Sequence, residues 1–307
     1  MVYVLNRDGI PLMPTRRHGK VRKMLKNGQA KVVKRCPFTI QLLYYTTNYT
    51  QPVNLGIDAG SKHTGVCATT EKEELYSADV ELRQDITELL SARRENRRTR
   101  RSRKTGGNAP DNLITLCETC HNGYHKGTTD LPKTIHRGMS FKDTAFMGIM
   151  RWSFYGELKK KYPNVSMTYG YITKNTRIKH HLPKHHYTDA RCIAGNPDAA
   201  PSGYYFYQKK IRCHNRQIHK ANFLKGSKKK RNQAPYMVKG FRLFDKVKYG
   251  KEICFIFGRR SSGYFDLRKL DGEIIHRSAS YKKIQLLETR KSFLTERRMQ
   301  EIEIAGT

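Results

Sequence analysis

The chain has 307 residues, with 60 Lys and Arg against 26 Asp and Glu, a formal net charge of +34, and 37% hydrophobic residues. That length allows two or three small domains with a real core. The charge far exceeds what solubility needs and disfavours a compact fold unless a polyanion neutralises it, so nucleic acid is the expected partner. No run of 18 apolar residues exists, so nothing is expected to span a membrane. No basic–apolar amphipathic helix or lipidation signal points to a membrane surface, and the N-terminus lacks an apolar signal core. The seven cysteines are Cys36, Cys67, Cys117, Cys120, Cys192, Cys213 and Cys254. Odd in number and mostly isolated, they do not make a disulfide framework, and a reducing, cytoplasmic setting is expected.

Residues 1–52 read as a small N-terminal α+β unit. Val2-Tyr3-Val4-Leu5 is a short strand and Asn6-Arg7-Asp8-Gly9 a turn, followed by Pro11-Leu12-Met13-Pro14. A helix is expected from Thr15 as N-cap to Asn27, with Gly28 as its stop. Its Arg16, Arg17, Lys20, Arg22, Lys23 and Lys26 suit phosphate contact. Residues 30–45 read as one or two strands broken near Pro37.

Residues 53–84 hold the stretch on which the chain is organised. Val53, Leu55 and Ile57 alternate as in a buried strand. Asp58 stands at its end, and Gly60 and Gly65 permit the reversal into a second strand. The Asp58 carboxylate needs a partner there, either a local turn N–H or lysine, or a divalent metal. A third strand is expected at about 75–82. Three consecutive strands beginning with a carboxylate-tipped one match the opening of an RNase H-like sheet.

In residues 85–104, Asp85 and Glu88 resemble a capping box, and Ile86, Leu89 and Leu90 form an apolar patch at i, i+3, i+4. From Arg93 to Lys104 eight of twelve residues are Arg or Lys: Arg93, Arg94, Arg97, Arg98, Arg100, Arg101, Arg103 and Lys104. Such a helix cannot bury a face against protein without pairing those charges, and its like charges at i, i+4 repel. Contact with nucleic-acid phosphates accounts for it. Residues 105–139 begin with a loop and continue through Asn112, Cys117, Cys120, His121 and His125. Cys-x-x-Cys followed by His is one half of a zinc knuckle. His125 or His136 would be needed to complete it, and a pair of free thiols is the other reading.

Within residues 140–200 a helix over 141–161 carries Phe141, Ala145, Phe146, Ile149, Trp152 and Leu158 at helical spacing, expected to be core. A strand is expected over 165–172. A second helix runs from His186 to Gly195, and His186 and Asp189, at i and i+3, share one of its faces. Together with a strand-end Asp they suggest a shared metal centre, the alternative being a simple N-cap pair. Residues 201–234 read as a basic, turn-rich segment in which Tyr204 to Tyr207 lie beside Lys209, Lys210 and Arg212, suiting base stacking and phosphate contact. Residues 235–307 read as short strands at 246–249, 252–257, 264–267 and 274–277, fitting a small SH3-like β-barrel.

In this order, a PLMP segment, Gly56-Ile57-Asp58-Ala59-Gly60, an arginine helix, a Cys/His fragment and His186-Tyr187-Thr188-Asp189-Ala190 resemble the IscB family of transposon-associated, RNA-guided DNA endonucleases. The resemblance covers nearly the whole chain. It implies a split RuvC-like domain of RNase H fold, an α/β mixed sheet that cuts one DNA strand with two divalent metals, Mg2+ or Mn2+. An inserted HNH domain would cut the other strand. By that resemblance Asp58, His186 and Asp189 are catalytic, with Asp58 and Asp189 as metal ligands. The arginine run 93–103 is the bridge helix. Asn112 and His121 are an HNH remnant, and Cys117 and Cys120 a zinc-type pair. Residues 1–52 are the PLMP domain, and the C-terminal barrel touches guide RNA and the target-flanking motif. The implied partners are a guide RNA of the omega type and target DNA, in a monomeric, nucleoid-associated ribonucleoprotein.

Two pieces of the family pattern are missing. The second RuvC carboxylate, a Glu ending an apolar strand, has no counterpart, because Glu118, Asp130 and Glu157 end no such strand. The first half of the HNH motif, with its base histidine, is absent too. Two-metal hydrolysis needs acidic ligands holding both ions about 4 Å apart, so impaired cleavage is expected. The alternative is a guide-RNA-dependent binding protein without catalysis.

Overall fold

The computed structural model describes residues 1–101, 115–130, 142–212 and 235–300. They form a mixed α/β protein of two compact units. The first comprises Met1–Arg83, Arg151–Asn215 and Arg231–Thr307; the second comprises Gln84–Met150 and Arg216–Lys230. No described helix is long and apolar enough to cross a membrane.

The first unit opens with four strands, β1 (Val2–Leu5), β2 (Pro11–Thr15), β3 (Ala30–Lys34) and β4 (Thr39–Leu42), in the order β2-β1-β4-β3. Helix α1 (His18–Lys26) buries Val21 and Met24 among Val2, Ala30, Ile40 and Leu42 and leaves its lysines and arginines in solvent. It starts later than expected. Arg17 is the N-cap, and the Thr15 hydroxyl accepts from the Arg17 N–H at 3.1 Å instead of capping the helix. Gly28, at φ +69°, stops it as expected.

The central sheet has the order β16-β8-β7-β6-β5. Its strands are β5 (Asn54–Ala59), β6 (His63–Thr69), β7 (Glu74–Glu81), β8 (Tyr204–Lys210) and β16 (Phe293–Met299). The first three make an antiparallel meander, β8 runs parallel to β7, and β16 is antiparallel to β8. Tyr204 to Tyr207 therefore belong to an inner strand, not a turn-rich segment. Phe206 and Tyr207 are buried because neighbours cover both sides of β8, which replaces alternation with a continuous aromatic run. On β5 the expected alternation is present with the opposite phase. Leu55 is 60% exposed, whereas Gly56 faces the interior, so the face assigned to the core looks outward.

The parallel β7–β8 pair requires a crossover, and this chain fills it with residues 82–203. Helix α2 (Ile86–Arg101) carries the arginine run and belongs to the second unit. Its Ile86 and Leu90 are exposed rather than anchored. Helix α3 (Glu118–His125) lies in the same unit, and α4 (Lys142–Lys161) runs from the second unit into the first. Ala145, Phe146, Ile149 and Trp152 are exposed, which overturns the core expectation. Helical spacing shows only that residues share a side, not that anything covers it. Phe141 lies outside the described residues. The expected strand at 165–172 is absent: 165–169 is irregular and α5 (Gly170–Lys179) follows. Helix α6 (His186–Ile193) ends before Gly195 at φ +81°, as expected.

After the short hairpin of β9 (Met237–Val238) and β10 (Phe241–Arg242), the strands β11 (Lys246–Tyr249), β12 (Glu252–Arg259), β13 (Tyr264–Arg268), β14 (Ile274–Ser280) and β15 (Ile284–Glu288) form an open antiparallel sheet, order β14-β13-β12-β11-β15. Among the described residues no barrel closes, because β14 and β15 are the two edges of the sheet. The chain continues into β16, which joins the central sheet instead. Val247, Cys254, Ile256, Phe265, Leu267 and Ala279 form the core here.

Candidate functional site

The site lies where α6 crosses β5 and β6. Two glycines make that crossing possible. A Cβ on Gly56 would stand 1.8 Å from the Ala190 carbonyl oxygen, and one on Gly65 would stand 1.9 Å from that of His186. Without side chains there, the helix backbone rests on the strands, and its first turn reaches the end of β5.

His186 Nδ1 lies 2.9 Å from Asp58 Oδ2. An ionised carboxylate only accepts, so the assigned tautomer has Nδ1–H donating and Nε2 free to take a proton. On the same helix Asp189 Oδ1 lies 3.1 Å from Arg177 Nε of α5. That nitrogen has no aligned hydrogen-bond partner, so the contact is a charge pair. Burial pushes the Asp189 carboxyl above its ordinary value; Arg177 opposes the shift, and the charge of Asp58 adds to it. Asp58, His186 and Asp189 thus form one electrostatic group.

Three members of this group were not anticipated. His63 Nδ1 lies 3.0 Å from Asp79 Oδ1, and its ring stacks on that of His186 with centroids 5.3 Å apart and planes within 2°. Arg177 is the third. Strand register was the available signal. Gly65 pairs with Asp58 on one side and Asp79 on the other, and His63 is two residues from Gly65. All four therefore share one face of the sheet. Arg177 has no comparable sequence signal: the expected strand covers only 165–172, and no element is expected at 177.

Among the described residues, no three His, Cys, Asp or Glu side chains stand in an arrangement that could hold a metal ion. Two carboxylates match what a single Mg2+ usually takes from protein, the rest of its shell being water and phosphate oxygen. The donor set falls short of a two-ion centre.

The other anticipated residues are dispersed. In the second unit, Cys117 caps α3, its sulfur accepting from the Cys120 N–H at 3.5 Å. That bond lowers the Cys117 thiol pKa, while the hydrogen bond to Cys117 raises that of Cys120. His121 and His125 bring their Nε2 atoms within 3.2 Å of each other. Arg93, Arg94 and Arg97 are exposed on α2, and Arg98, Arg100 and Arg101 lie on the same helix. Arg103 and Asn112 lie outside the described residues. In the first unit, Lys209 pairs with Glu81 at 3.0 Å, Lys210 sits 4.2 Å over the Phe293 ring, and Arg212 follows β8.

Residues 2–113 match the family model described as RRXRR protein, which spans β1 through the arginine helix and includes Asp58. Nothing among the curated proteins matches the chain.

Proposed function

We propose that the chain is an RNA-guided DNA endonuclease of the IscB type, whose single RuvC-like centre is Asp58, His186 and Asp189. The observation that carries this reading is the 2.9 Å contact between His186 Nδ1 and Asp58 Oδ2, made by residues 128 positions apart. The RRXRR match over residues 2–113 supports it, as does the +34 charge, because RRXRR domains occur in IscB-type nucleases. In this reading Asp58 and Asp189 hold one Mg2+ or Mn2+. When bound, that ion offsets charge on the scissile phosphate. His186, oriented by Asp58 through Nδ1, accepts the proton of the attacking water at Nε2. Arg177 restrains Asp189. Base pairing of an omega-type guide RNA with target DNA supplies target choice, and arginines of α2 hold backbone phosphates. Cys117 and Cys120 would supply two thiolates to Zn2+, a half-site that the described histidines do not complete. The protein works as a monomer in a cytoplasmic ribonucleoprotein.

A second reading, guide-dependent binding without cleavage, is favoured by one observation: two carboxylates supply one ion's ligands, not two. Incubation of the guide-loaded protein with guide-matched supercoiled plasmid separates the two. Mg2+-dependent nicking that Asp58→Ala abolishes supports the nuclease. Tight guide-dependent binding without nicking supports the second reading.

A further inference from the structure

The first unit also contains a small cationic cavity to which the nuclease centre contributes no residue. It measures about 240 Å3 and lies where the end of β3, the start of β11 and the connection from β15 to β16 come together. Phe244, Phe255 and Phe293 give it an apolar wall. Its charges do not balance: Lys34, Lys246, Arg290 and Lys291 line it together with one acid, Glu288.

Two of these cations are matched. Lys291 Nζ pairs with Glu288 Oε1 at 3.0 Å. Arg290 donates from Nη2 to the Tyr236 hydroxyl at 3.1 Å. The other two are not. Lys246 is only 8% exposed, and its Nζ donates to the Thr295 carbonyl at 2.8 Å. An ammonium carries three N–H donors, so that bond leaves two. Lys34 is half-buried, and burial holds its ammonium below the ordinary value. The charges of Lys291 and Lys246 push the same way, and Glu288 opposes them. Lys34 and Lys246 thus feel each other's charge, with no carboxylate of their own among the described lining residues. Like charges withdrawn from water in this way are costly unless an anion pairs with them.

We infer that this cavity holds a terminal phosphate group, with Lys34 and Lys246 as its cationic partners. Charge selects the ligand. A phosphate monoester carries about −1.5 to −2 at pH 7 and three strong acceptor oxygens, which matches two ammoniums. A phosphodiester inside a strand carries a single charge. Size selects further. The cavity is smaller than the roughly 300–1,000 Å3 of pockets that enclose a whole drug-sized ligand, so it takes the end of a larger molecule. The phenylalanine wall keeps the local dielectric low and strengthens each polar contact. A 5′-phosphorylated strand and a free nucleotide present the same group. Cleavage at Asp58 and Asp189 is not needed for this binding.

The test is calorimetric titration of the full chain, at constant ionic strength, with 5′-phosphorylated thymidine dinucleotide, its 5′-hydroxyl counterpart and thymidine monophosphate. The phosphorylated dinucleotide should bind about tenfold or more tightly than the hydroxyl form. Lys34→Met and Lys246→Met should remove that preference, and Lys34→Arg should keep it. Lys246 also holds the Thr295 carbonyl, so Lys34→Met is the decisive variant. Without ligand its melting temperature should equal or exceed that of the wild type. The rise that thymidine monophosphate produces in the wild type should be lost. Monophosphate binding as tightly as the phosphorylated dinucleotide would assign a free nucleotide as the source. Weaker monophosphate binding would assign a strand end, and either result supports the site. Equal affinity for the two dinucleotides would overturn it. So would an unchanged preference in folded Lys34→Met, or equal stabilisation by chloride at matched ionic strength. Absence of nicking in a protein that keeps the preference would count against the nuclease reading alone.

Discussion

His186 donates from Nδ1 to Asp58 Oδ2 across 2.9 Å, and the bond exists because neither strand beneath α6 has a side chain where the helix lies. Gly56 and Gly65 are as much part of the centre as the acid and the imidazole they bring together.

Gly65→Ala and Gly56→Ala should each lift α6. The added carbon meets backbone atoms, which cannot rotate away, so a loss of about 1–3 kcal/mol is expected, as for overpacked cores. Gly19→Ala is the control: it sits within α1 with open space around it and should stabilise by up to about 1 kcal/mol through helix propensity. Urea unfolding midpoints of the three variants check the contrast.

The Asp189 carboxyl is raised by burial, against the pull of Arg177 and with the push of Asp58. A group whose folded value lies above its unfolded value of 3.8 binds more protons folded than unfolded between the two values. In the presence of chelator, its contribution therefore favours folding at the acid end. That contribution is lost as pH rises through the interval above 3.8. Asp189→Asn should flatten this part of the stability–pH curve, measured by thermal melts from pH 3.5 upward.

His63 covers one face of the His186 ring and is itself held by Asp79. His63→Ala should let His186 drift, lowering kcat for nicking by up to about 100-fold, the scale of an ångström's misplacement, with KM little changed. His63→Phe keeps a ring against His186 and should recover most of the rate. A residue needed only for folding would instead show parallel losses of stability and of bound substrate in both variants.

Much of this was legible because local patterns determine it. The hairpin around Asp58, the α6 boundaries, the Gly28 stop and four C-terminal strands follow from turn glycines and period. Structure departs from pattern where tertiary partners decide. Leu55 and Gly56 exchange faces because α6 packs against the strand from one side only. Trp152 and Phe146 have helical spacing, but both are exposed among the described residues. Tyr204 to Tyr207 looked like a nucleic-acid surface because an inner strand covered on both sides loses its alternation. The C-terminal strands fit a closed barrel by period, but β16 pairs with β8 in the central sheet, a long-range pairing that no local signal encodes. His63 is silent in the sequence for a related reason: its place comes from strand register, not from a motif.

The central claim is that Asp58 and Asp189 serve one cation. Electron paramagnetic resonance of Mn2+ titrated into the full chain, after chelation and with Cys117 and Cys120 blocked, tests it most directly. One bound ion per chain is expected in the wild type, with binding lost in both Asp58→Asn and Asp189→Asn. Unchanged Mn2+ binding in both variants, or loss in only one of them, would contradict it.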